Sequence, residues 1–123
     1  MQLLIDSHIL IWSVLESQRL KPRERDALMD SNNTLFFSVV SLAELYHKES
    51  HRRITLPREF PAAISALGFT PLALTPTHAE HLRTLPLIHS DPFDRILAAQ
   101  AISENLVLMT RDRILKKYPI TIF

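Results

Sequence analysis

Four acidic residues lie close to the ends of apolar stretches that are typical of buried strands. Asp6 directly follows QLLI, Glu44 follows LFFSVV, Asp112 follows LVLMT, and Asp94 lies near the start of the helical segment that leads into LVLMT. Carboxylates brought close together repel and raise one another's pKa, and a bound divalent cation relieves both effects. With oxygen ligands and no thiolate in the chain, the preferred ions are Mg²⁺ and Mn²⁺.

A cation held in this way favours the hydrolysis of phosphodiester bonds. It lowers the pKa of a bound water, which then acts as the nucleophile, and it stabilises the negative charge of the transition state. A side-chain nucleophile is not required. The four acids therefore predict a metal-dependent phosphodiester hydrolase.

Helix capping is the alternative explanation for each acid. Ser41 and Glu44 form an S-x-x-E capping box, and Asp91 can cap a helix that begins at Pro92. The other acids can likewise cap a helix or lie in its first turn, where the helix dipole stabilises a negative charge. For each acid taken singly, capping is a sufficient explanation. A cap could equally be Ser, Thr or Asn, however, and here every one of these positions holds an ionisable acid. The set as a whole therefore favours a metal site.

The elements that must position the acids alternate between strand and helix. The predicted strands are 2–5, 35–40, 69–74, 106–110 and 120–123, and the predicted helices are 7–16, 22–31, 41–53, 58–67, 75–85, 91–105 and 111–118. Alternation of this kind predicts a single α/β domain over residues 1–123, a three-layer α/β/α sandwich with a central parallel sheet of four to five strands. Pro71 marks 69–74 as an edge strand. The four acids then meet at the carboxyl edge of the sheet, where such folds bind ligands.

Composition excludes several other kinds of site. The chain has 123 residues, a net charge of +1, no Cys and a single Gly, Gly68. No disulfide, thiolate metal site, P-loop or GxGxxG motif can therefore form. No apolar run approaches the ~18 residues of a membrane span. We expect a cytoplasmic protein that does not enter a membrane.

Four motifs, LLIDSH, SVVSLAEL, DPFDRILAAQA and LMTRD, occur in this order and resemble those of the PIN-domain ribonucleases. Among these, the closest resemblance is to the VapC-type toxins of bacterial toxin–antitoxin pairs, and it spans nearly the whole chain. It implies a Mg²⁺- or Mn²⁺-dependent endoribonuclease that acts on RNA. It also implies a homodimer, silenced by a cognate antitoxin protein whose segment occupies the active-site groove.

The resemblance also assigns roles to individual residues. It implies that the catalytic and metal-binding acids are Asp6, Glu44, Asp94 and Asp112. Supporting roles fall to the residues Ser41, Thr110 and Asp91, the last as a cap or a neighbouring acid.

Basic residues beside the acids are candidates for holding phosphate. Arg95 directly follows Asp94, and Arg111 directly precedes Asp112. Each of them can bind phosphate or neutralise the acids when no metal is bound. The cluster Arg52, Arg53 and Arg58 is equally explained by contact with RNA or antitoxin and by ordinary surface charge.

Two other functions remain open. A PIN-like module that binds RNA or protein without catalysis is disfavoured because all four acids are present. A phosphoacceptor domain would show an acidic pair after the first strand and a Lys after the last, and neither is found. His47 and His51 have the spacing of a two-His zinc face, but the polar segment HKESHRR favours a solvated helix.

Overall fold

The computed structural model describes all residues, 1–123. Its strands and helices, in chain order, are β1 (Gln2–Ile5), α1 (Ser7–Leu15), α2 (Pro22–Met29), β2 (Thr34–Ser38), α3 (Val39–Ser50), α4 (Phe60–Ala66), β3 (Phe69–Leu72), α5 (Pro76–His81), α6 (Pro92–Ser103) and β4 (Val107–Met109). Single 3₁₀ turns follow α1 and β4, at Ser17–Arg19 and Leu115–Lys117. None of the helices combines the length and the apolar character that crossing a membrane requires.

All four strands are parallel and lie in the order β3-β2-β1-β4. β1 is therefore central, and the chain reverses its direction of winding between β1 and β4. Ile5 pairs with Phe37 on one side and with Met109 on the other, so the residues after β1 and β4 emerge side by side. The predicted α/β class, parallel sheet and edge position of Pro71 are confirmed.

Helices cover both faces of the sheet. Along β1, Leu3 and Ile5 point into a core shared with α1 to α4, and Leu4 points into a second core shared with α6. All three side chains are fully buried. This alternation explains why the strands read as continuous apolar runs, because a strand covered on both faces has no solvent side.

The predicted start of α3 and its capping box are wrong. The helix begins at Val39, and its N-cap is Ser38, whose hydroxyl accepts a hydrogen bond from the Val40 N–H at 3.1 Å. Ser41 therefore lies inside the helix and does not form a capping box with Glu44. The β-branched pair at 39–40 resembles strand sequence, but the Ser38 hydroxyl starts the helix before it.

The predicted elements beyond β4 are also wrong. In place of a helix over 111–118 there is one 3₁₀ turn, because the Asp112 carboxylate bonds the Ile114 N–H at 2.7 Å and closes a tight loop first. In place of a strand over 120–123 there is one bridge, between Ile122 and Leu108. The Leu108 N–H donates to the Thr121 carbonyl, and the Phe123 N–H donates to the Leu108 carbonyl. The pairing extends no further, so this segment does not form a strand.

Candidate active site

The site lies where the strand order reverses, at the carboxyl ends of β1 and β4. Asp6 follows β1 immediately and is the N-cap of α1, since its Oδ1 accepts a hydrogen bond from the Ile9 N–H at 2.9 Å. Its own N–H donates to the carbonyl of Met109 at 3.2 Å, which ties it to β4. Its side chain is buried, with 6% exposed. The cap predicted from the sequence therefore forms, and it fixes this carboxylate at the sheet edge.

Thr110 links Asp6 to Asp112. Its hydroxyl accepts a hydrogen bond from the Asp112 N–H at 3.0 Å, and it faces the Asp6 carboxylate, where it acts to lower the pKa of Asp6. Thr110 is itself buried, so the hydroxyl is held in this position. One side chain thus sets the spacing between an acid after β1 and an acid after β4.

Asp112 and Asp94 meet at the imidazole of His89. The Nε2 atom of His89 lies 2.9 Å from Oδ2 of Asp112 and 3.2 Å from Oδ2 of Asp94. One ligand atom from each of the three residues lies within 4.8 Å of the others, and this is the one group of three or more metal-binding side chains in the structure. His47 and His51 contact each other edge to face but gather no further ligand.

The other ring nitrogen of His89 fixes which tautomer is present. Nδ1 accepts a hydrogen bond from the Asp91 N–H at 3.1 Å, so in the neutral ring the proton is on Nε2. Nε2–H therefore donates to Asp112 and lies beside Asp94, and neither nitrogen is free to bind an ion in this arrangement. Asp91 is the N-cap of α6, bonding the Phe93 N–H at 2.8 Å.

The carboxylates influence one another electrostatically. The pKa of Asp94 is raised to about 6, mainly by burial; the negative charges of Asp91, Glu44 and Asp112 contribute to this rise, and His89 opposes it. Glu44 on α3 is 8% exposed, and Ser41 one turn before it is 7% exposed. Glu44 therefore faces the same neighbourhood as Asp94, although it lies outside the tightest cluster.

Asp6 and Asp112 respond differently to the same surroundings. Burial raises the pKa of Asp6, and the negative charge of Asp112 adds to this. Burial also acts to raise the pKa of Asp112, but hydrogen bonds from His89 and from the backbone of Ile114 and Leu115 lower it below its ordinary value. Negative charge is thus concentrated where the cation is expected, and His89 compensates only part of it.

The two arginines expected to hold phosphate make other contacts. Arg95 donates to the carbonyls of Leu82 and Leu85 at 3.4 and 3.1 Å, so its guanidinium joins α6 to the end of α5. Arg111 forms a bidentate ion pair with Glu24 of α2, with distances of 2.9 and 2.6 Å. Neither guanidinium forms an ion pair with the site acids, although Arg111 lines a cleft together with Asp6 and Asp112.

The donor set fits a hard divalent cation. Asp94 and Asp112 present carboxylate oxygens to one point, and Asp6 and Glu44 add negative charge around it, which suits Mg²⁺ or Mn²⁺. His89 is the residue that the sequence left unassigned. His89 stands two positions before Asp91, the N-cap of α6, in HSDPFD. This position next to the capping acid is the one feature of the sequence that indicates a role for His89.

Known proteins resemble this chain along nearly its whole length. The PIN domain family model matches residues 3–120. Ribonuclease VapC22 of Mycobacterium tuberculosis is 29% identical over 127 residues, covering 98% of this chain and 97% of the relative. A VapBC2 structure from Rickettsia felis, bound to a promoter DNA fragment, matches with a TM-score of 0.77 and 18% identity over 99% of this chain and 96% of that chain. DNA-bound VapBC from Salmonella typhimurium matches with a TM-score of 0.69 and 20% identity over 99% and 96% of the two chains.

The two solved structures share the fold of this chain, and the family match shows that its sequence has the pattern of a PIN domain. The family match covers almost all of the 123 residues, including Asp6, which follows β1, and Asp94 and Asp112, which precede and follow β4. The chain belongs to the PIN domain family.

Proposed function

We propose that this protein is a metal-dependent endoribonuclease of the VapC toxin type. The observation that carries the proposal is the convergence of Asp94 and Asp112 on one donor, His89 Nε2, at 3.2 and 2.9 Å. Two carboxylates held this close need a positive partner, and a divalent cation supplies more charge than one N–H. The likeness to ribonuclease VapC22 supports RNA as the substrate.

The chain's own residues divide the work. Asp94 and Asp112 would hold Mg²⁺ or Mn²⁺, and Asp6 and Glu44 would add negative charge around the ion. Bound there, the ion supplies an activated water and charge stabilisation at the phosphate. Asp6 is kept in place by the Ile9 N–H and the Thr110 hydroxyl.

We infer partners from the same relatives. The matched structures are VapBC assemblies, and a toxin–antitoxin complex from Klebsiella pneumoniae matches with a TM-score of 0.63. A cognate antitoxin that covers the acids would silence the enzyme until the antitoxin is lost. A cytoplasmic homodimer remains the expected free form.

The test is cleavage of a defined single-stranded RNA by the purified protein with Mg²⁺, with Mn²⁺ and with EDTA. We expect cleavage with either ion, none with EDTA, and a loss on the order of 100-fold or more in Asp94→Asn and Asp112→Asn. Asp26→Asn is the matched control, because Asp26 is exposed on α2. Full activity in EDTA or in both site variants would contradict the proposal.

One observation favours the second candidate, a PIN module that binds RNA or protein without cleaving. His89 donates to Asp112 and lies beside Asp94 in a tautomer that does not bind an ion. Calorimetry with Mn²⁺ separates the two functions. The nuclease requires binding of the ion to the wild-type protein, whereas absence of binding together with RNA retention would favour the module.

A further inference from the structure

A cleft opens directly beside the acids. It has a volume of about 450 Å³, and Asp6 and Asp112 form one wall while His8, Trp12 and Arg19 line the rest. We name it the aromatic cleft. Because two of the site acids line it, a polymer whose phosphate lies at the acids continues into it without a gap.

Flat side chains dominate the aromatic cleft. The guanidinium carbons of Arg19 and Arg111 lie 4.8 and 4.5 Å from the centroid of the Trp12 ring. The His8 ring is 5.8 Å from the same ring and tilted by 44°. His8 and Trp12 are one turn apart on α1, so the helix presents both to the same side. Trp12 also packs against the core, which holds its ring in place.

The two arginines of the cleft differ in their freedom to bind a ligand. Arg111 is committed to Glu24 through two short hydrogen bonds. The sole ion pair of Arg19 is with Glu16 at 3.5 Å, and both side chains are about half exposed, at 54% and 45%. An exposed pair of this kind contributes little, so Arg19 can exchange Glu16 for a phosphate at small cost.

We propose that the aromatic cleft binds the nucleotide next to the scissile phosphate, with its base stacked on the layer formed by the Trp12 ring and the guanidinium groups that cover it, and with its phosphate at Arg19. The proposal rests on the proposed ribonuclease function and names the form of its substrate. A cleft of this volume is within the usual range for small ligands. Stacking on aromatic rings and guanidinium planes requires an unpaired base, so the substrate is single-stranded RNA.

A protein segment is the other class of occupant. The cleft offers just two apolar side chains, Ile9 and Trp12, among charged and polar neighbours. An amphipathic helix needs a longer apolar groove. A base and a phosphate need one flat surface and one cation, and both are present.

Trp12 is the one tryptophan of the chain, so its fluorescence reports on the cleft directly. The Asp94→Asn variant is titrated with each of the four nucleoside monophosphates and with a short single-stranded oligoribonucleotide, which it leaves intact. We expect saturable quenching, with an affinity for the oligonucleotide about 10-fold lower when Arg19→Gln is added. Arg83→Gln is the matched control, since Arg83 also pairs with an exposed Glu one turn away, at 3.4 Å.

Absence of quenching, or equal affinity in the Arg19→Gln and Arg83→Gln backgrounds, would overturn the proposal. Quenching by an acidic decapeptide but not by nucleotides would also overturn it and assign the cleft to a protein segment. In otherwise wild-type protein, Arg19→Gln should raise KM about 10-fold and change kcat far less. Trp12→Leu should likewise raise KM with little change in kcat, provided that this variant folds. If it does not fold, Arg19→Gln still decides the test, because Arg19 is exposed and its substitution does not disturb the core.

The two proposals fail in different ways. If the wild-type protein cleaves no RNA but nucleotides quench Trp12 and Arg19→Gln weakens this, the ribonuclease function is wrong and the nucleotide site remains. If the wild-type protein cleaves RNA and its KM is the same in Arg19→Gln and Arg83→Gln, the ribonuclease stands and the assignment of the cleft is wrong.

Discussion

The imidazole of His89 donates a hydrogen bond to Asp112 over 2.9 Å, and the same Nε2 atom lies 3.2 Å from Oδ2 of Asp94. One proton thus stands between two carboxylates that would share a cation. The Asp91 N–H holds the ring from its other side at 3.1 Å, so the bridge is fixed from both ends. His89 is therefore a positioning residue that sets the distance between these two acids.

Removal of the bridge should weaken the protein in the absence of metal. His89→Ala leaves Asp94 and Asp112 facing each other without a donor, so we expect the free energy of unfolding in EDTA to fall by about 1–3 kcal/mol. Urea unfolding with and without Mn²⁺ measures this. The loss should shrink when Mn²⁺ is present, and exposed His51→Ala should show neither effect. An equal loss with and without the ion would show that His89 does not position the acids.

The raised pKa of Asp94 predicts how stability depends on pH in EDTA. Burial and the neighbouring carboxylates together place this pKa at about 6, above the ordinary value of 3.8. Between these two values the folded state binds the extra proton, so the contribution of Asp94 to stability falls as pH rises from about 4 to about 6 and is level above that. Unfolding of the wild-type protein and of Asp94→Asn across this range gives the difference. A difference that is flat with pH would contradict the prediction.

The same proton competes with the cation. Since Asp94 must lose its proton to bind Mn²⁺, the affinity for the ion should increase as pH rises through 6. Calorimetry at pH 5.5 and 7.5 in buffers with different heats of ionisation reports both the affinity and the proton released. Equal affinity at the two pH values, with no proton release, would place the ion away from Asp94.

Glu24 should stabilise the loop that carries Asp112. Its ion pair with Arg111 joins α2 to the segment after β4, and the hydrogen bond from Arg111 lowers the pKa of Glu24. A lowered pKa gives stability that is present above the ordinary Glu value and is lost as pH falls through the folded-state value. Glu24→Gln should therefore lower the free energy of unfolding by about 1–2 kcal/mol at pH 7 and by less in acid.

The matched control for that change is Glu80→Gln. Glu80 pairs with Arg83 at 3.4 Å, but both side chains are largely exposed, at 69% and 77%, so we expect a change below about 0.5 kcal/mol. Chemical denaturation of both variants at pH 7 and pH 4 makes the comparison. Equal changes in the free energy of unfolding at the two positions would mean that the ion pair between Glu24 and Arg111 stabilises the protein no more than an exposed surface pair does.

Thr110 should affect catalysis more than folding. Thr110→Val keeps the shape but removes the hydroxyl that joins Asp6 to the Asp112 N–H. We expect kcat to fall by about 10–100-fold, as is usual for partners of metal ligands, with a small change in KM. Thr110→Ser restores the hydroxyl and should recover most of the rate. Failure of Ser to rescue, or an unchanged rate in Val, would contradict the role of the hydroxyl.

The fold and the meeting of the acids could be predicted because both follow from short-range patterns. Apolar runs interrupted by helical periods specify a parallel sheet, and residues directly after β1 and β4 must then share one edge, as Asp6 and Thr110 do. The start of α3 was less accessible, since Val39 and Val40 suit a strand and the Ser38 cap decides otherwise.

Long-range pairings explain the rest. The partner of Arg111 is Glu24, 87 positions earlier, and no local signal connects them. His89 acts through its ring position between Asp94 and Asp112, which depends on how the loop before α6 meets the loop after β4. Side-chain partners of this kind are set by tertiary packing, so the sequence alone does not reveal the groups that hold the acids in place.

Calorimetric titration with Mn²⁺ tests the shared cation site most directly, using the wild-type protein, Asp94→Asn, Asp112→Asn and the exposed control Asp26→Asn at pH 7.5. We predict binding to the wild-type protein and the control, and a loss of affinity in both site variants. Undiminished affinity in Asp94→Asn and Asp112→Asn would contradict the account.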